Sequence, residues 1–342
     1  MAGEKASAAA TLKRSRDKAN RLAQKGGRKR LKKTLEQAQF DLNKRITQAA
    51  GLSGAGKEPF SLTRMRTTLI QIEAVIVDLN KGMKGVVVDQ AGKAAQMAAS
   101  EQLEYMAKAE RRFKGINASL PLDKVALTDK AVSRTNASVL RRISGDPANP
   151  ARPGVLARYG TNVMGKFEEQ MRIGMLTNKS WAEMRADMIG QSPFLQQAPA
   201  SWAERLLRTE TMAAQNRSGW ETTRQAQEEL GDMVKILSAT FDDRTGWDSY
   251  LVHGQIRKPD EAFEGPFGTY QHPPNRPNDR EVVVPHRVSW PLPASLDPRS
   301  ESEAEIAYFS RIKNPGARGG VPPSFGRSWE MSTVDRELFG KA

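Results

Sequence analysis

Proline is the residue that most constrains this chain: only Pro59 and Pro121 precede residue 146, and seventeen prolines follow it. Proline lacks a backbone donor and clashes with the preceding helical turn, so a stretch almost free of it is open to long helices. The first 145 residues therefore read as helical. From Leu62 the apolar residues Leu62, Met65, Leu69, Ile72, Ile76 and Leu79 alternate spacings of three and four, an a/d seam expected to stop before Gly82 and Gly85. Ala95, Ala99, Leu103, Met106 and Phe113 predict a second helix, and Val125, Val132, Val139 and Ile143 a third, with breaks at residues 115–121 and at Gly145. A helical hairpin or bundle is expected.

Residues 145–154 combine three prolines with two glycines and read as a linker or a long exposed connection. Beyond it, Ser180-Trp-Ala-Glu183 and Ser201-Trp-Ala-Glu204 both fit the capping box, so each should open a helix, the second running over residues 202–230 and ending at Gly231. Residues 233–241 are rich in β-branched and apolar side chains and predict a strand, with further strands at residues 281–284 and 288–290, interrupted by Pro285. Prolines and glycines between residues 254 and 277 make a long loop. The expected fold class is α+β: a mainly helical N-terminal region, then a compact domain with a long helix packed on a small antiparallel sheet, and extended termini. The expected segments are a basic arm (1–45), a helical region (46–145), a linker (146–160), the compact domain (161–295) and a tail (296–342) that docks Trp329, Leu338 and Phe339.

Charge marks out the N-terminus. Residues 1–45 hold fourteen Lys and Arg against four acidic residues, a net +10 of the whole chain's +14. All six Trp lie after residue 180, which places the aromatic core C-terminally. The absence of cysteine excludes disulfides, thiolate metal sites and a cysteine nucleophile. No stretch resembles a signal peptide or a membrane span, so a soluble, intracellular protein is expected. Within the arm, Lys13, Arg14, Arg16, Lys18, Arg21, Lys25, Arg28, Lys29, Arg30, Lys32 and Lys33 suit phosphate neutralisation, although an acidic protein partner would serve equally well.

Three groups invite a chemical reading. The segment Gly51-Leu-Ser-Gly-Ala-Gly56-Lys57-Glu58 imitates a P-loop but puts Glu where a hydroxyl must meet magnesium, no strand precedes it, and it reads as a helix-ending turn. His253, His272 and His286, with Asp242, Asp243, Asn275, Asn278, Asp279 and Glu281, contain donor types for a hard metal or a His-Asn-His nuclease centre, but their spacing matches no ligand rule. Arg208 and Glu210 point about 200° apart on a helix and cannot address one small group together, so they read as anchors, with Thr209 on the packing face and Glu204 placed to pair with Arg208. No cofactor is expected.

The order of features over residues 180–290 resembles the phage head morphogenesis domain of Mu F-like minor head proteins. The residues that carry the resemblance are Ser180-Trp-Ala-Glu183; Arg208-Thr209-Glu210 followed by Ala213 and Asn216; a strand running into Asp242-Asp243-Arg244-Thr245 with Gly254 ten residues beyond Arg244; and His272-Pro-Pro, then Pro277-Asn278-Asp-Arg280-Glu281. Where the family commonly has His after the Arg and a Cys pair about the last Arg, this chain has Ser249, Asp279 and Glu281. The resemblance implies a non-enzymatic minor head protein bound to the portal inside the prohead, present in host cytoplasm during assembly. It would act in head assembly, DNA packaging or ejection, with the portal, the major capsid or scaffolding protein and double-stranded DNA as partners and no membrane. The alternative is a toxin-like enzyme on the same domain, an ADP-ribosyltransferase using Arg208 and the Glu301-Ser-Glu303-Ala-Glu305 run, or a metal-dependent nuclease. A simple non-specific DNA-binding protein would leave residues 46–342 without a use.

Overall fold

A computed structural model describes residues 8–51, 62–177, 179–180, 182–184, 186–187, 198–239, 249, 252–265, 268–274 and 281–292. The main helices are α1 (Ala8–Gly51), α2 (Leu62–Lys114), α3 (Lys124–Ser144), α4 (Val155–Leu176) and α5 (Ala198–Leu230). The strands are β1 (Gly145–Asp146), β2 (Asn149–Pro153), β3 (Met233–Ser238), β4 (Ile256–Arg257), β5 (Phe263–Gly265), β6 (Gly268–Tyr270) and β7 (Val282–Arg287). The fold is α+β and mostly helical, with a long helix packed on a small antiparallel sheet. Two compact units are assembled from non-consecutive stretches: a helical unit from Gln24–Gln90 and Ala137–Leu207, and an α+β unit from Met1–Ala23, Ala91–Asn136 and Arg208–Ala342. Thus α1, α2, α3 and α5 each supply residues to both.

In the helical unit α1 and α2 run antiparallel, which brings Gly27 to Gln90 and Thr34 to Gly82. A Cβ at Gly82 would lie 2.7 Å from the Thr34 methyl, so glycine permits the close approach. This explains a departure from the sequence expectation. The seam does not end before Gly82; Ile72, Ile76 and Leu79 are buried together with Met83, Val86 and Val87, and the two expected helices are one. Packing outweighs the ~1 kcal/mol that a helical glycine costs. The basic segment is likewise helical from Ala8, its inner face carrying Leu31, Ala38, Leu42 and Ile46.

Residues 145–154, expected as an open connection, form the exposed hairpin β1–β2, and α4 begins directly after Gly154. A Cβ on Gly154 would meet the Gly145 nitrogen at 2.2 Å, so only glycine closes this turn. The first capping box forms: Ser180 N–H and Oγ donate to Glu183 at 2.8 Å. The second does not. The helix α5 starts at Ala198, with Pro199 suited to its first turn, so Ser201 lies inside the helix. Glu204, expected to pair with Arg208, forms an ion pair with Arg28.

In the α+β unit the sheet has order β4-β3-β7, all antiparallel. Every residue of β3 is buried because both faces are covered. On one face Val234, Ile236, Val282 and Val284 pack with Leu103, Met106, Leu127 and Ala226 from the helices. On the other, Leu237 and Val283 meet Val252 and Phe263, the latter on the β5–β6 hairpin. Two strand expectations are corrected. β7 runs through Pro285; among the described strands β7 lies at the edge of the sheet, where a missing N–H is tolerated. Residues 288–290 turn back instead of forming a strand, with Trp290 N–H donating to the Arg287 carbonyl at 2.9 Å.

Candidate functional site

Two surfaces carry the sequence-predicted residues, one in each unit. In the α+β unit the Arg-Thr-Glu motif sits on α5. Arg208 is exposed, Thr209 half-buried and Glu210 buried, as their angular separation requires. From Glu210 to Asn216 every residue is buried, so α5 has no solvent face there although it carries Thr211, Gln215 and Asn216. A polar side chain so placed must find a partner or cost a few kcal/mol. Asn216 meets that demand on the sheet: its Nδ2 donates to the Glu281 carbonyl at 3.0 Å and its Oδ1 accepts from Val283 N–H at 3.1 Å. Ser218 donates to the Ala95 carbonyl on α2 at 2.7 Å, and Gln102 donates to Thr223 at 3.1 Å. Gly254 adopts φ +81° and donates to the Leu237 carbonyl at 2.8 Å, and the neighbouring Gln255 carboxamide bonds both backbone groups of Glu264, at 2.6 and 3.1 Å. Asp242, Asp243, Arg244, Thr245, Pro277, Asn278 and Arg280 lie outside the described residues.

The histidines are each engaged with backbone. Ala239 N–H donates to His253 Nδ1 at 3.0 Å, His272 Nδ1 lies 3.0 Å from the Pro273 carbonyl, and His286 Nε2 donates to the Trp290 carbonyl at 3.2 Å. Burial pushes His286 down to about 4, so it is neutral at physiological pH. Among the described residues no three His, Asp or Glu side chains come together as a metal site. Nor is any helix there long and apolar enough to cross a membrane.

Sequence reasoning missed the charged residues that tie helix to sheet. Glu110 on α2 is only 4% exposed; it accepts from Arg287 at 3.0 and 3.1 Å, from the Trp290 indole at 2.7 Å, and pairs with Lys114 at 3.1 Å. Arg287 Nε also reaches Asp232 at 2.6 Å. Burial alone would raise Glu110, but the indole and the two cations outweigh it and hold the carboxyl below its usual range. A second hub is Glu221, approached by Arg134, Arg217 and Arg224 at 3.1 to 3.4 Å. There burial prevails and the carboxyl is pushed up despite the three guanidiniums. The third is Lys235, fully buried on the central strand, whose amine donates to the Gln271 carbonyl and carboxamide at 3.0 and 2.8 Å and lies 4.7 Å from the Phe263 ring centre. Burial brings it down to about 7 against the pull of Asp260 and Glu261. No local motif announces these residues, because Glu110 and Arg287 lie 177 positions apart.

In the helical unit, α1 presents the cations. Lys25, Arg28, Lys29 and Lys32 are exposed and fall within an arc of about 100° at 100° per residue. Of these Arg28 is held by Glu204 and Lys32 by Glu36 at 3.7 Å. Arg30 and Lys33 lie off this row. They line a cleft of about 470 Å³ with Asp41, Arg45, Asp78 and Leu79, and Arg30 pairs with Asp89 at 2.5 Å. Arg21, in the other unit's part of α1, is exposed. The side chains of Lys13, Arg14, Arg16 and Lys18 lie outside the described residues, although their backbone is helical. The P-loop-like residues 52–58 are also outside. No family model, curated protein or solved structure matches this chain.

Proposed function

We propose that this chain is a non-enzymatic minor head protein of a tailed phage or prophage, bound to the portal inside the prohead, whose basic helix contacts packaged DNA. The observation that carries the reading is what the described motif residues do. In the segment that resembles the head morphogenesis domain, Asn216, Gly254 and their neighbours hold backbone to backbone. That is the behaviour of a docking scaffold, in which a helix and a return strand are locked so that the outer surface keeps one shape. The cationic row on α1 supports the DNA part, since Lys25 and Lys29, joined by Arg28 and Lys32 if they exchange Glu204 and Glu36 for phosphate, would neutralise phosphates without reading bases.

The experiment is capture of purified portal by the full chain, with mass spectrometry of virions and empty proheads to count copies, and a DNA-binding salt titration alongside. Portal capture with a fixed copy number supports the reading. NAD or DNA hydrolysis by a chain that fails to capture portal would replace it with the toxin-like enzyme. Changing Lys25, Arg28, Lys29 and Lys32 to Glu should lower the log K against log salt slope by up to about 3.6, or about 0.9 for each phosphate no longer neutralised.

A further inference from the structure

The described part of the α+β unit ends at Leu292, which packs in one cluster with Trp290, Phe113, Leu120 and Leu122. The last three belong to the end of α2 and the turn leading into α3. On that connection Ile116 is 85% exposed, and Val125, in the first turn of α3, is 71% exposed. Single exposed apolar residues are ordinary, but these two stand in sequence on either side of the half-buried Leu120 and Leu122, so the tip offers four apolar side chains over ten residues. Cations outnumber carboxylates around it: Arg111, Arg112 and Lys114 fill the last turn of α2 and Lys124 opens α3, all exposed, against Asp123, whose carboxylate caps α3; Lys114 also pairs with Glu110.

We propose that residues 301–309 of this same chain bind this α2–α3 tip. They read Glu301-Ser-Glu303-Ala-Glu305-Ile306-Ala-Tyr308-Phe309. Three carboxylates meet the cationic rim, and Ile306, Tyr308 and Phe309 cover Ile116 and Val125. Reach is not limiting: the eight residues 293–300 span up to about 28 Å when extended, starting from Leu292, which packs in the same cluster as Leu120 and Leu122 of the connection. A tether of that length holds the segment at an effective concentration in the mM range, so an attachment too weak to capture a free peptide still closes. A second copy of the chain competes poorly, because every tip already has its own tethered ligand. The Glu-x-Glu pattern, which an enzyme reading would assign to NAD chemistry, thereby acquires a role in binding.

Hydrogen exchange on the full-length chain tests this. Ile306→Asp/Tyr308→Asp/Phe309→Asp and, separately, Glu301→Lys/Glu303→Lys/Glu305→Lys should each speed exchange of amides 113–126 by about tenfold, with β3 and β7 unchanged as the folding control. Ile116→Asp/Val125→Asp should remove protection from residues 301–309 in return. Tip exchange that is identical in the wild type and both tail variants overturns the proposal. So does tip protection that rises with protein concentration, which would assign the patch to a second copy.

Discussion

Arg287→Met is the sharpest perturbation of the α+β unit. Among the described residues Arg287 alone joins Glu110 on α2 to Asp232 at the entry to β3, with bonds of 2.6 to 3.1 Å to the two carboxylates. Removing one partner of a buried ion pair costs about 3–5 kcal/mol because the other charge is left in a poorly solvating place. Glu110 would keep the Trp290 indole and Lys114, which argues for the lower end, about 3 kcal/mol. At about 2–4 °C per kcal/mol, the melting midpoint should fall by about 6–12 °C. The pH dependence gives a second reading. In the native chain Glu110 and Asp232 both have lowered pKa values, so their stabilisation is present above the unfolded carboxylate values and is lost as pH falls through the folded ones. In the variant burial is less opposed and Glu110 rises, so protonation removes the uncompensated charge. The deficit relative to wild type should therefore be large at about pH 7 and shrink near about pH 4, the ordinary carboxylate range. The double variant Glu110→Leu/Arg287→Met should be more stable than Arg287→Met alone. Urea denaturation at both pH values provides the measurement. A deficit below about 0.5 kcal/mol at neutral pH, or one that grows on acidification, would refute the reasoning.

Two glycines of α2 should respond oppositely to alanine. Gly82→Ala should destabilise by about 1–3 kcal/mol because its Cβ would press on Thr34, whereas Gly85→Ala, with nothing within 4 Å, should stabilise by about 0.5–1 kcal/mol, both read by thermal melting. Lys235, lowered to about 7, binds fewer protons folded than unfolded between there and 10.5, so stability should rise with pH across that window. Lys235→Met should flatten that rise in denaturant titrations spanning about pH 6.5 to 9.5; an unchanged slope would show that the amine titrates normally.

What the sequence made legible was local. Proline scarcity located the helical half, the Ser180 capping box formed as its spacing required, and Gly231 ends α5 at φ +77°. Most of the misses have long-range causes. Gly82 reads as a helix stop, since nothing within α2 reveals that Thr34 needs the space. Ser201 reads as a cap, but α5 already runs from Ala198, so Ser201 stands inside the helix. Pro285 reads as a strand break, because edge position is a property of the sheet and not of the tripeptide. In the motif, the angular argument correctly separates Arg208 from Glu210, but nothing in the spacing points to Glu110, Asp232 or Lys235.

The same long-range logic explains why α5 is so polar. A helix buried all round by apolar neighbours gains stability from area but accepts many rotational settings, since apolar contacts are not directional. In α5, Asn216 bonds two backbone atoms of the return strand segment, Ser218 one carbonyl of α2, Thr223 one carboxamide of α2, and Trp220 one carbonyl of the loop at Pro259. These bonds point in different directions from the helix axis. A rotation of about 20° or a slide of one residue would break several at once, each leaving a buried polar group unpaired at about 1–3 kcal/mol. Polar residues thus fix the register of helix on strand at a modest cost in stability.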